Sequence, residues 1–512
     1  MTKYSDLEYL RLSKGKKFLY RLTSAICSIP GKLWGLIRLI GSYIQKGCTG
    51  IKNELTDIAL TFANGDAKTK ASYFVMGFGS IARGQVLRGI LFLLFEAVFI
   101  FYMVTTGGYW LSKLPSLGTQ GREEVITKGK FGRSVTSYIY HDDSFKIMLY
   151  GILTILFIIA FIYTWRLNVK QNRISEKILK QGKKLKSGKD DLKSLVDDQF
   201  HKTLLALPLT GIIVFTVMPI LFMILVAFTN YDANHDGLNN LWQWVGLENF
   251  ASILGWGNGT LNYSATFGEI LVWTLIWAFF ATFTNYFLGM LVAMAINKKG
   301  IVFKKGWRTI LVLTIAIPQF ISLLYVSKMF ARNGLINLTL MDLGIIDQSH
   351  LLPFWEDPVW ARITVIIINI WIGIPYLMLI TTGILMNIPA DLYESARIDG
   401  ASPWQQYRKI TLPYMLFVTG PYLLTSFTGN MNNFNVIYLL TGGAPNISGA
   451  QATVGNAGHT DLLITWLFKL AMSDSKYYLA SVIGILVFII IAVLSLVVFN
   501  LLPSNKNEED FQ

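Results

Sequence analysis

The chain has 512 residues, of which 53% are apolar and only 15% charged, against roughly a quarter charged in soluble domains. That excludes a large soluble catalytic core and marks a membrane protein. The formal net charge of +14 suits a nucleic acid or a membrane, and its concentration in alternate loops selects membrane over nucleic acid.

Residues 1–83 hold thirteen Lys/Arg and five Asp/Glu. Within them Ile26, Ile29, Leu33, Ile37, Ile40 and Ile44 recur at helical spacing beside Lys32, Arg38 and Lys46. This run is too short and too charged to span. It fits an in-plane helix on anionic lipid or a helix packed on another cytosolic element. The two cysteines, Cys27 and Cys48, give no disulfide framework and no metal site. The first long apolar run starts after residue 80, so no cleavable signal peptide is expected.

Eight apolar runs follow, at 84–106, 147–165, 204–228, 269–296, 309–330, 362–386, 412–430 and 477–502. Each is about the 20 residues that a helix needs to cross a bilayer, and helix is the form that satisfies its own backbone there. The seventh run is diluted by Thr425, Ser426, Thr428, Gly429 and Asn430. Eleven Lys/Arg stand between Arg166 and Lys202, none in 229–268, and Lys298, Lys299, Lys304, Lys305 and Arg308 follow the fourth run. The loops therefore alternate in, out, in, and eight spans put both termini in the cytoplasm. Two external loops, 107–146 and 229–268, are long enough for small caps. In the second, Trp242, Trp244 and Trp256 read as loop packing or interface anchors, and the Asn-x-Ser/Thr triplets at Asn258 and Asn262 matter only in a secretory route.

Catalytic chemistry is missing. There is no Gly-x-x-x-x-Gly-Lys-Ser/Thr loop, no His/Cys/Glu set at zinc spacing and no nucleophile elbow with triad partners. No catalytic residue, no metal and no cofactor bound by this chain is expected. The last five spans carry almost no ionisable residues, which proton- or ion-coupled carriers keep at depth. The driving energy is expected to enter from outside the bilayer.

Between the sixth and seventh runs lies a patterned loop, Asn387 to Pro413. Pro389 can start a helix and Asp391 favours its positive end. Gly400 can end it in the left-handed conformation. Ser402 then caps a second helix, with Pro403 in its first turn and Gln405 as capping-box partner. The predicted result is a rigid helix–turn–helix on the cytoplasmic surface. Its apolar Leu392, Tyr393 and Ala396 either meet a partner or cover the bundle's own end.

Two later spans carry uncharged polar stripes at i, i+4, i+7: Asn369, Gly373 and Tyr376, then Ser426, Asn430 and Asn433. Each trio is predicted to share one helix face, and Pro375 can kink its helix. Amides and hydroxyls suit a neutral sugar. The same residues also serve as helix–helix glue in membranes, and the spacing leaves both readings open.

The run Glu394-Ser-Ala-x-x-Asp399-Gly400-Ala401, with Ile410-x-Leu412-Pro413 after it, resembles the EAA loop of binding-protein-dependent ABC importer permeases. The two stripes, with Leu439-Leu-Thr-Gly-Gly443, the stretch 457–466 and Val245-Gly-Leu-Glu-Asn-Phe250, look like the maltose/maltodextrin permease subunits of the MalF type. The resemblance covers 204–502, while 1–200 match in span count and general character. The best-known members have a large folded external domain after the third span, where this chain has about 40 residues.

The resemblance implies an all-α polytopic bundle of the type I importer permease fold. Glu394, Ser395, Ala396, Asp399, Gly400 and Ala401 would dock an ATPase subunit, with serine at 395 where the family usually has alanine. Asn369, Ile372, Gly373, Tyr376, Ser426, Asn430 and Asn433 would contact sugar. Expected partners are a second homologous permease, an ATPase dimer that uses the ATP, an extracellular solute-binding protein, an oligosaccharide and membrane lipid. The expected organisation is a basic cytoplasmic region 1–83, accessory helices and external loops 84–266, a transport core 267–502 containing the loop 389–413, and a tail 503–512. The expected function is maltodextrin or maltose uptake by alternating access across the cell membrane. Another oligosaccharide, such as a galacto-oligosaccharide, is the nearest alternative. A secondary sugar carrier would need an inverted repeat or intramembrane carboxylates.

Overall fold

The computed structural model describes residues 38, 41–43, 45–128, 134–185, 187–256, 262–298, 300–449 and 455–501. The six apolar residues of the expected in-plane helix lie outside them. Helices dominate: α1 (Val86–Lys113), α2 (Ser144–Lys180), α3 (Gly188–Val196), α4 (Phe200–Val226), α5 (Ser264–Asn297), α6 (Lys304–Ala316), α7 (Gln319–Met329), α8 (Pro358–Leu385), α9 (Ala390–Ile398), α10 (Pro403–Met431), α11 (Phe434–Leu440), α12 (Leu463–Met472) and α13 (Tyr477–Leu501). Among the described residues seven helices are long and apolar enough to cross a membrane, and the bent pair α6–α7 makes eight only if it counts as one span. The all-helical, polytopic expectation is met.

The fifth predicted span differs. The run 309–330 is not one helix: α6 and α7 meet at 90°. Ile317 and Pro318 are extended, with ψ of 127° and 123°. Proline has no N–H to give the ladder and pushes the residue before it out of the helical region. Hydropathy alone does not see that break.

The chain divides into two units, Met1–Tyr109 with Leu153–Gly211, and Trp110–Ile152 with Ile212–Gln512. In the first, α1 and α2 run antiparallel on an aromatic ladder. Phe99 stacks on Phe161 at 3.9 Å, and Tyr102 meets Thr154 hydroxyl to hydroxyl at 2.9 Å. The segment before α1 is fastened by a buried arginine. Arg83 donates to Asp66 and to Thr69 at 2.6 Å and to Asn172 at 2.7 Å. A buried guanidinium requires such pairing, because unpaired charge out of water is costly.

In the second unit α5 and α8 pack along their length. Small residues allow the approach: a Cβ on Gly289 would stand 2.7 Å from Leu377 Cβ. The core follows α5. Phe267 and Ile270 pack with Trp466 and Val482 near its start, Trp273 and Trp277 with Val365 and Ile437 further on, and Tyr286 and Met290 with Leu377 and Met415 beyond. The loop between α1 and α2 forms an antiparallel hairpin, β1 (Arg122–Lys128) and β2 (Ser134–Tyr140), with Arg122 opposite Tyr140. Burial alone would raise the carboxyl pKa of Asp142, but the amides of Thr119 and Gln120 and the ammonium of Lys113 outweigh it and hold the group down at about 2. In the loop 229–268 Trp242 is buried against Tyr231, Phe145 and Phe222. Trp244 is partly exposed and donates to the Leu114 carbonyl, while Trp256 is exposed.

Candidate substrate and docking sites

The loop after α8 folds as its residues dictate. Pro389 caps α9, and Asp391 sits in its first turn. Gly400 adopts φ +76°, which only glycine takes without strain. The Ala401 amide closes the turn on the Ala396 carbonyl at 2.8 Å. Ser402 and Gln405 form the reciprocal capping box, at 3.3 and 2.7 Å. Tyr393 turns inward to Thr411, oxygen to oxygen at 2.9 Å, and ties α9 to α10.

Glu394, Ser395, Asp399 and Gly400 are exposed, while Ala396 and Ala401 are half-buried. Of the three apolar residues singled out on this loop, only Leu392 is exposed. Tyr393 and Ala396 are partly covered, and the larger exposed apolar groups are Ile398 at 86% and Trp404 at 66%. A cavity of about 610 Å³ beside α9 is lined by Asn297, Lys298, Tyr393, Arg397, Gln406 and Thr411, among others.

The stripes are only partly brought together. Asn369 is buried in α8, and its Nδ2 has no hydrogen-bond partner. Gly373 lies against α5, where a Cβ would stand 2.2 Å from Asn285 Nδ2. Asn285 is buried, and its Oδ1 is likewise unpartnered. Tyr376 is half-exposed. With Ile372, Trp371, Gln319 and Ser322 it lines a cavity of about 330 Å³ beside the Pro318 break.

The second trio does not share one helix face. The helix stops at Met431, and Asn433 is the N-cap of α11 instead, accepting from the Val436 amide at 3.3 Å. Asparagine at the residue before an apolar helix favours capping over helix continuation. Asn433 Nδ2 donates to Asn430 Oδ1 at 3.3 Å, and Asn430 Nδ2 donates to Thr282 Oγ1 at 3.0 Å. Trp277 donates to the Asn430 carbonyl at 3.1 Å. Ser426 is half-buried, one turn after Tyr422. Of the seven expected contact residues, Ile372 and Tyr376 line the cavity at the break, and Asn430 and Asn433 are bonded to each other.

Several polar groups escaped the sequence reading. Thr282 and Asn285 on α5 face the stripes, and their signal was polarity inside an apolar run. Gln319 and Ser322 reach the cavity because Pro318 breaks the span. Near the starts of α5 and α8, Arg362 donates to Glu269 at 3.0 Å and to the His459 carbonyl at 2.8 Å, and His459 Nδ1 lies 2.6 Å from the same Glu269 oxygen. Deeper in that loop, Lys469 pairs with buried Asp461 at 2.6 Å.

A polytopic helical bundle with a capped helix–turn–helix on one loop is the arrangement the described residues show, and the chain's relatives are membrane permease components. The chain belongs to the binding-protein-dependent transport system inner membrane component family, whose model matches residues 285–505. It is 33% identical over 443 residues to the maltodextrin transport system permease protein MalC of Streptococcus pneumoniae, covering 85% of this chain and 95% of that one. It is 32% identical over 438 residues to the galactooligosaccharides transport system permease protein GanP of Bacillus subtilis, covering 85% and 97%. To the maltose/maltodextrin transport system permease protein MalF of Escherichia coli it is 36% identical over 253 residues, 48% of each chain. The resemblance to maltodextrin permeases is thus borne out. It also extends well beyond 204–502, since 85% of the chain aligns with MalC. These relatives are transport permeases, not enzymes.

Proposed function

We propose that this chain is the permease subunit of an ATP-binding-cassette importer that moves maltodextrin by alternating access, driven by a separate ATPase gripping the α9 turn. The observation that carries the cargo class is the wall around Tyr376. Trp371, Tyr376, Gln319 and Ser322 offer aromatic faces, amide and hydroxyl, and among the described residues no charged side chain lines that cavity. Such a wall suits a neutral, hydroxyl-rich ligand. Exposed Glu394, Asp399 and Leu392 at the end of a stiff, well-capped helix support the docking role. Residues 267–502 form the transport core, a second homologous permease completes the pore, and a solute-binding protein delivers cargo. ATP binding shifts the equilibrium between inward- and outward-facing states through contacts that differ between them. Both termini lie in the cytoplasm by the loop-charge asymmetry.

A second cargo has its own support, because the similarity to GanP is as extensive as that to MalC. Uptake of labelled maltotriose and of a galactan fragment, by the same cells with and without this chain, separates the two. Loss of maltotriose uptake alone supports maltodextrin. Loss of galactan uptake alone overturns it.

A further inference from the structure

In the second unit, the cavity of about 610 Å³ beside α9 lies between the close of α5, the end of α8, α9 and the start of α10. Lys298 and Arg397 line it, and both are exposed. Neither makes a hydrogen bond or ion pair among the described residues. Met294 and Leu385 add a partly covered apolar strip. Among the described residues no carboxylate lines the wall. The acids of α9, Asp391, Glu394 and Asp399, are exposed and stand outside that lining. Two unpaired cations on one concave wall suit a group with more than one negative charge.

The course of α13 brings such a group near. Its first turns, at Leu479, Val482 and Ile483, pack with Phe267 and Ile270 at the start of α5. Both helices cross the same span, so α13 finishes at the end where Met294 and Lys298 line the cavity. It also packs on α10. From Ile270 to Lys298 α5 rises about 42 Å, and from Leu479 to Leu501 α13 rises about 33 Å, which leaves about 9 Å between their levels. The sequence then continues through Pro503 and Lys506 to Glu508, Glu509, Asp510 and Phe511. Extended chain from 502 to 508 reaches about 24 Å. That covers the difference in level and the roughly 10 Å to a neighbouring helix.

We propose that the acidic run Glu508-Glu509-Asp510 of this chain docks in the cavity, its carboxylates on Lys298 and Arg397 and Phe511 against Met294 and Leu385. Exposed ion pairs are weak singly. The tether offsets this, because it holds the run at a millimolar effective concentration that a free acidic ligand would have to reach in solution. Tyr393 and Arg397, one turn apart, are the part of the wall that α9 supplies. The docked run therefore holds the helix that the proposed function gives to the ATPase, but the docking does not depend on that assignment.

The test is disulfide cross-linking of the full-length chain in detergent, with Cys27→Ser and Cys48→Ser removing the native thiols. Ala295→Cys puts a thiol on the exposed lining of the cavity, and Asn507→Cys puts one beside the acidic run. Mild oxidation should join the two within one chain. Adding Lys298→Glu and Arg397→Glu should slow the joining roughly thirtyfold, at about fivefold for each ion pair. Reversing the other side as well, with Glu508→Lys, Glu509→Lys and Asp510→Lys, should restore it. Should the cavity variant fold poorly, Glu508→Gln/Glu509→Gln/Asp510→Gln changes only residues beyond α13 and should slow the joining by a similar factor. No link in the parent, an unchanged rate in a folded charge variant, or a link formed only between two chains would each overturn the proposal.

Discussion

The α9 turn and the polar stripes of α8 and α10 are built in opposite ways. In the turn, every fastening lies close by in sequence: Ser402 to Gln405, Ala401 to Ala396, Tyr393 to Thr411 eighteen residues on. In the stripes, besides the local Asn433–Asn430 bond, partners come from afar: Asn430 bonds Thr282 across 148 residues, and Trp277 reaches the Asn430 carbonyl across 153. The turn holds its shape by capping and leaves its outer face to solvent. The stripes spend much of their polarity holding helices together, and what remains for a ligand is concentrated at Tyr376 and the break beside it.

That contrast can be broken. The largest effect is expected from Glu394→Lys, which reverses charge on an exposed side chain that makes no hydrogen bond or ion pair among the described residues. It should abolish uptake of labelled oligosaccharide at unchanged membrane abundance, and normal uptake would remove the docking role. Tyr376→Ala strips the aromatic and hydroxyl from the cavity wall and should cut uptake about tenfold, the loss of roughly one good hydrogen bond or stacking contact. Gly373→Ala drives a methyl into Asn285 and should cost about 1–3 kcal/mol by overpacking, read as a lower unfolding temperature. Adding Asn285→Ala should restore most of it. A stable Gly373→Ala protein would mean the helices part there with ease. Asn430→Ala is expected to be the mildest. It removes two membrane hydrogen bonds, each worth about 0.6 kcal/mol, so thermal stability should fall only slightly. A collapse of transport without a stability change would return Asn430 to the cargo.

Much of the turn was legible because its rules are local. Pro389, Gly400, Ser402 and Gln405 each did what their own chemistry requires, and none needed a partner from another span. Seven of the eight expected spans were legible for the same reason, since hydropathy is a property of one segment. The stripes were legible only as composition. Nothing in the spacing of Ser426, Asn430 and Asn433 says that the helix stops at Met431, because capping by Asn433 and continuation of the helix differ by about 1 kcal/mol. The partners Thr282 and Asn285 sit on another span, and pairing across 88 to 148 residues is decided by packing. The break at Pro318 was a different omission: the proline stood in plain view but was averaged into an apolar window.

That break has a consequence for solvent. Where Ile317 and Pro318 leave the helix, nearby peptide groups lose their ladder partners, and hydrocarbon offers none in return. A chain can bend at right angles within a bilayer only where protein or water takes those bonds. At the hollow beside Tyr376 those bonds fall to protein or water, and on the proposed function a sugar entering there would trade places with water instead of dissolving into fat.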